Sequence, residues 1–241
     1  MSHLAVPRLG VVQPKDDLLP YPTVVALDPG GTTGWSVMQV HPDALSSPSI
    51  KILENVTHWA EGQVVSESSD VKVESASPAR WEARKNIIKM AGPQFAFDAS
   101  SECNAVHELI ALIDAWPGCV VVTEDFILRQ MNMARDLLAP VRIMAGLDYL
   151  LWKRGMVMYR QQPAEAKTTC TDARLKMWGF YTSDGAQRHA RDATRHAITF
   201  LRKCKDMNMG AGRRGLAWPH IYGQRKREST KRSSTRRARA S

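Results

Sequence analysis

The chain has 241 residues, which suffices for one domain with a well-buried core and leaves sequence over for arms or tails. Its net charge of +9 is concentrated at the C-terminal end: residues 213–241 hold ten Lys or Arg against a single acid, Glu228, while the rest of the chain is balanced. No apolar stretch approaches the length that spans a bilayer and no basic start precedes an apolar run, so a membrane protein is excluded and a cytoplasmic one expected; the localised charge asks for a polyanion.

In chain order, residues 1–20 form an arm containing several prolines. The β-branched run Thr23-Val-Val-Ala-Leu27 then stops at Asp28-Pro-Gly-Gly31 and resumes as Thr33-Gly-Trp-Ser-Val-Met-Gln-Val40, which predicts two strands joined by a tight turn. A third strand is expected over 50–59, then a Ser-rich acidic loop over 66–78 and helices over 79–90 and 103–115. The unbroken apolar run 119–123 reads as a strand buried on both faces that releases Glu124 and Asp125 at its end. A helix over 140–153, with Pro140 in its first turn, leads to a short strand at 156–160. The last predicted element of the body is a helix over 183–205, capped by Ser183 or Asp184.

On a wheel of that helix Ala193, Ala197, Phe200, Leu201 and Cys204 share an apolar face, and Arg188, Arg191, Arg195 and Arg202 share an outward basic one. Asp192 falls on the seam between them, with His196 and His189 next in order. A strand meander followed by alternating strands and helices predicts an α/β fold. The four cysteines, Cys103, Cys119, Cys170 and Cys204, lack the paired spacing of a zinc knuckle or disulfide framework and read as reduced structural residues.

Three acids stand at places where chemistry is commonly done: Asp28 and Glu124 at strand ends and Asp192 on the last helix. Hard carboxylate oxygens are what magnesium requires, and two such ions can activate water and stabilise a leaving oxygen in phosphodiester hydrolysis. Glycines after Asp28 let a phosphate backbone approach. Each motif also has a plainer meaning: a hairpin turn for Asp-Pro-Gly-Gly, a solvated edge for Glu124, an intrahelical ion pair for Asp192, and packing or hydrogen bonding for His196. Asp125 and Asp184 are weaker ligand candidates.

The segments Leu27-Asp-Pro-Gly-Gly-Thr-Thr-Gly-Trp35, Val122-Thr-Glu-Asp-Phe126 and His189-Ala-Arg-Asp-Ala193 resemble, in order and spacing, the motifs of RuvC-like Holliday-junction resolvases. The resemblance spans about residues 21–205 and implies a ribonuclease H-like mixed five-stranded sheet, a three-strand meander plus two parallel strands, flanked by helices. It implies that Asp28, Glu124 and Asp192 hold two Mg2+ ions, with Mn2+ able to substitute. Many relatives carry a second acid three residues before the helix Asp, where this chain has His189, so His189 is implied either as a metal ligand or as a general acid or base. Lys167 matches a lysine that holds the scissile phosphate, and Phe126 a residue that probes the junction centre. Relatives work on branched DNA as homodimers through the helix matching 140–153. Segment 63–102 has no family counterpart, and the compact, tailed form is more phage-like than cellular, which would place it in a bacterial host's cytoplasm.

The domains expected are thus an arm at 1–20, a catalytic domain at 21–208, and a disordered basic tail at 209–241. In the tail Arg213, Arg214, Arg225, Lys226, Arg227, Lys231, Arg232, Arg236, Arg237 and Arg239 would bind DNA backbone without choosing sequence. Two other functions compete. An actin-like or sugar-kinase-like ATPase shares the Asp-x-Gly-x-Thr turn but needs a second, duplicated domain. A non-catalytic binder of branched DNA would use the tail alone, but three carboxylates without metal would repel phosphate.

Overall fold

The computed structural model describes residues 21–65, 98–125, 135–183, 187–206 and 208–223. The expected helix at 79–90, loop at 66–78, Phe126, Asp184 and the tail cations from Arg225 to Arg239 lie outside them.

Five strands form one sheet: β1 (Thr23–Asp28), β2 (Thr32–Val40), β3 (Val56–Val65), β4 (Val120–Glu124) and β5 (Met158–Gln161), in the order β3-β2-β1-β4-β5. The meander β1–β2–β3 is antiparallel, and β4 and β5 run parallel to β1. This is the mixed five-stranded sheet, a three-strand meander plus two parallel strands flanked by helices, that the sequence predicts. β1 and β4 are buried on both faces because helices cover both sides, which is why their sequences are continuous apolar runs instead of alternating ones.

One face carries Val25, Leu27, Val37 and Val121 against α2 (Asp98–Asp114) and α3 (Arg135–Lys153). The other carries Val24, Ala26, Met38 and Val122. It packs on α6 (Arg188–Lys205), whose buried Ala193, Ala197, Phe200, Leu201 and Cys204 are the apolar face expected from the wheel. Periodicity predicts none of the short helices α1 (Pro42–Ser46), α4 (Pro163–Thr169), α5 (Asp172–Trp178), α7 (Gly210–Ala217) and α8 (Pro219–Tyr222), which together close this second face. Among the described residues no helix is long and apolar enough to cross a membrane. Cys119, Cys170 and Cys204 are buried thiols and Cys103 is exposed.

Several sequence expectations shift. The third strand begins at Val56, not 50, because Leu53–Asn55 makes a 3-10 turn after Ile52 is buried in the core. Its Gly62 lies under the Trp35 indole, where an added Cβ would meet Cζ2 at 2.5 Å. Helix α3 starts at Arg135, so Pro140 sits inside it and removes a rung of its hydrogen-bond ladder instead of occupying a first turn. Helix α6 starts at Arg188 behind Gln187, and Ser183 does not cap it.

The largest shift concerns the tail. Residues 210–217 and 219–222, assigned from composition to a disordered segment, are helical, and Trp218 between them is fully buried against Phe200. Arg213 and Arg214, expected to meet DNA from a free tail, are half-buried and bond the Lys203 carbonyl at 3.4 Å and the Leu45 and Cys204 carbonyls at 3.0 and 3.3 Å.

Candidate active site at the strand ends

The antiparallel register places Asp28 opposite Gly34, and the parallel register pairs Leu27 with Thr123 and Glu124 with Gln161. One step beyond Leu27 and Thr123 stand Asp28 and Glu124. Alternation along the strands turns both carboxylates, and the Gln161 amide, toward the face covered by α6.

Gly34 decides how closely that helix comes. An added Cβ there would lie 2.0 Å from the carbonyl carbon and oxygen of His189, so no side chain fits between β2 and the first turn of α6. The helix backbone therefore rests on the strand directly opposite Asp28. His189, Asp192 and His196, at spacings of three and four, form one stripe on the helix. Each serves a different part of the site. His189 Nδ1 is 2.7 Å from Asp28 Oδ2, Asp192 brings the third carboxylate, and His196 Nε2 is 2.9 Å from Glu124 Oε2.

Burial pushes the Asp28 carboxyl above its ordinary value of 3.8. The His189 hydrogen bond opposes that rise, while the negative charges of Glu124 and Asp192 add to it. Glu124 and Asp192 thus both disfavour the charge on Asp28, a repulsion that a divalent cation would relieve.

The carboxylates also have protein cations on them. Asp192 is bonded by Arg195 and lies 3.5 Å from the Lys167 ammonium. Arg195, expected on the outward basic face, is instead largely buried, its side chain 11% exposed. Its guanidinium is shared between Asp192 and Asp172, and Nε donates to the Cys170 carbonyl at 2.9 Å. The reason is that α4 and α5 pack over that part of α6, which periodicity in one helix could not show. Arg188 and Arg202 do face solvent. Asp125 accepts from the Gln162 amide at 3.0 Å. Among the described residues no three His, Cys, Asp or Glu side chains stand gathered as a ready-made ion cage.

Residues that motif reading undervalued are Gly34, Arg195, Gln161 and His196. Gly34 had a local signal in the glycine-rich turn and His196 one in its place beside Asp192 on the helix wheel; Arg195 and Gln161 acquire their partners through tertiary contacts.

No protein-family model matches the sequence, and no curated protein matches it. Among solved structures, the chain is similar to RuvC of Thermus thermophilus in complex with a Holliday junction substrate, at 16% identity and a TM-score of 0.41, with 76% of this chain and 95% of that one covered. It is similar also to a second Thermus thermophilus RuvC structure, at 17% identity and a TM-score of 0.39 with the same coverage.

Proposed function

We propose that this protein is a Mg2+-dependent, structure-selective endonuclease that cuts branched DNA, with four-way junctions as its preferred substrate. The observation that supports the reading is that Asp28 and Glu124 end two paired parallel strands on the face covered by the helix that carries Asp192, and that Glu124 and Asp192 both bear electrostatically on Asp28. The donor set fits hard divalent cations: three carboxylates, two of which disfavour the charge of Asp28, with one imidazole bonded to Asp28.

Asp28, Glu124 and Asp192 would hold Mg2+ or Mn2+, and His189 would be a fourth ligand or a proton carrier. Bound there, two such ions supply an activated water and charge neutralisation at the scissile phosphate. His189 Nδ1 is engaged with Asp28 and Nε2 lies 3.5 Å from the Arg188 guanidinium, so Nε2 would serve a ligand or the departing oxygen once Arg188 turns away. Lys167, half exposed, would grip a phosphate oxygen once it releases Asp192. Arg195 keeps the Asp192 carboxylate turned inward.

The test is a panel of end-labelled four-way junctions, forks, flaps and linear duplexes, each incubated with Mg2+ or with chelator, with nicks mapped on sequencing gels. Nicks confined to branched DNA in Mg2+ are expected. Binding of junctions without cutting in any divalent metal would leave the second reading, a non-catalytic branched-DNA-binding protein. That reading is favoured by the cations already neutralising Asp192.

Two further features support a junction-cutting assembly. Along α3, Val141, Tyr149 and Trp152 are exposed on one stripe, Trp152 to 74%, and the rings of Tyr149 and Trp152 are 6.5 Å apart. Such a patch on a helix is the kind of surface a second copy covers, and two copies related by a twofold axis would make the paired cuts a junction needs. Trp152→Glu is expected to convert a dimer to a monomer in sedimentation velocity; an unchanged species would remove this face from the interface. Residues beyond Gly223 carry eight of the ten basic residues of the C-terminal end. Truncation after Gly223 should weaken junction binding and flatten its salt dependence by roughly 0.9 in log–log slope for each DNA phosphate that the tail no longer neutralises. An unaltered slope would show that the tail neutralises none.

A further inference from the structure

We propose that His196 is a positioning residue that fixes the orientation of the Glu124 carboxylate, and that Gln161 sets its tautomer. This rests on the reading of Glu124 as a metal ligand and adds to it a device outside the motifs.

His196 is 1% exposed, in the middle of α6, one turn after Asp192 and on the same side of the helix. Both of its ring nitrogens are used. Nε2 lies 2.9 Å from Glu124 Oε2, and Nδ1 lies 3.0 Å from the Gln161 side-chain amide. The amide's orientation follows from its own surroundings. With its oxygen accepting from the Phe200 N–H at 3.2 Å, its nitrogen donates to the His196 carbonyl at 3.3 Å and to His196 Nδ1 at 3.0 Å. Reversed, the oxygen would face the His196 carbonyl and the nitrogen the Phe200 N–H, like against like at the two backbone groups whose polarity is fixed. Gln161, itself buried, therefore donates to Nδ1. Nδ1 then carries no proton, so the ring proton is on Nε2 and is donated to Glu124.

The relay is anchored at both ends. Gln161 is the last residue of β5, paired in register with Glu124, and its backbone carbonyl accepts from the Asp125 N–H at 2.7 Å. Phe200 belongs to the core face of α6. A glutamate at a strand end has three side-chain torsions to restrain. Holding Oε2 from a buried ring removes most of that freedom and presents Oε1 in a constant direction. His189 does the corresponding thing to Asp28 from the other end of the same stripe, so a single helix supplies one carboxylate and orients the other two.

The test uses the full chain and Mn2+ alone as probe, its binding counted by electron paramagnetic resonance of the free ion. His196→Asn keeps a polar group near Nδ1 but cannot reach Glu124; His196→Gln extends a donor to about the Nε2 position. His196→Asn should weaken Mn2+ binding on the order of ten- to a hundredfold. His196→Gln should restore binding close to the unmodified protein, and metal-free junction binding should be the same in all three. In the unmodified protein, long-range nitrogen–proton NMR of the histidine rings should show His196 protonated at Nε2. That spectrum decides the matter if a variant does not fold. Equal Mn2+ binding by both variants and the unmodified protein, or a proton on Nδ1, would overturn the inference. If the unmodified protein's Mn2+ binding is insensitive to Glu124→Gln, the metal reading of the site fails instead, and the ring spectrum still reports whether His196 holds Glu124.

Discussion

Replacing Asp28 with asparagine is expected to slow junction nicking in Mg2+ by roughly a thousandfold or more, equivalent to about 4 kcal/mol of transition-state stabilisation, while uncut junctions bind within a few-fold of normal. Asparagine has nearly the same shape and keeps an oxygen that can accept from His189, so the slowing reports the missing charge and not a disturbed fold. Single-turnover cleavage with saturating protein separates the two. Cleavage at the normal rate would sink the assignment of Asp28 to the metal site.

The same substitution has a second consequence of opposite sign. Burial raises the Asp28 carboxyl, so the folded protein binds this proton more tightly than the unfolded chain does. Its contribution therefore favours the folded state at low pH and is lost as pH rises from the ordinary 3.8 through the folded-state value. At neutral pH the ionised group is a burden that a divalent cation would lift. Mg2+ should raise the melting temperature of the unmodified protein at pH 7 and leave that of Asp28→Asn unmoved. Measured in chelator, the variant should melt no lower than the original. A lower melting point would mean that the His189 hydrogen bond outweighs the desolvation of Asp28.

Trp218→Ala should have the largest effect on stability. Its side chain is fully buried, its ring lies 6.0 Å from Phe200 and 6.4 Å from Tyr222 in edge contacts, and Nε1 donates to the Thr23 carbonyl at 3.3 Å. Removing an aromatic side chain from such a place costs about 3–5 kcal/mol. In a domain of this size that is a drop in melting temperature on the order of 10 °C, read by circular dichroism. A change of only a degree or two would show that 210–222 contribute little to the fold. Because Thr23 begins β1, the contact ties the C-terminal end to the strand that carries Asp28, and Trp218→Ala should weaken cleavage at temperatures where the protein is still folded.

Much of this molecule is legible along its sequence. Uninterrupted apolar residues mark β1 and β4 because a strand covered on both faces has no solvent side to alternate toward. The seam position of Asp192 follows from the spacing of Ala193, Ala197 and Leu201 around it. The order of the three acids follows from the motifs. What failed was governed by contacts remote in sequence. Composition assigns Arg213 and Arg214 to a free tail, yet Trp218, only a few residues further on, docks 195 residues away in sequence on Thr23 and draws both arginines into packing. Arg195 looks outward on an isolated helix, and only the presence of α4 and α5 turns it inward onto Asp192 and Asp172. Pro140 reads locally as a helix start, whereas helix packing against the sheet tolerates it inside α3.

The division has one physical cause. Hydrophobic periodicity and turn chemistry act over a few residues, so the strands, the α6 stripe and the carboxylates at the strand ends are determined by the sequence alone. Partnership between polar side chains depends on which backbones approach closely enough, and here that was decided by Gly34, whose missing side chain lets α6 settle onto β2 opposite Asp28. From that approach come the His189–Asp28 and His196–Glu124 contacts, which only the tertiary structure could select.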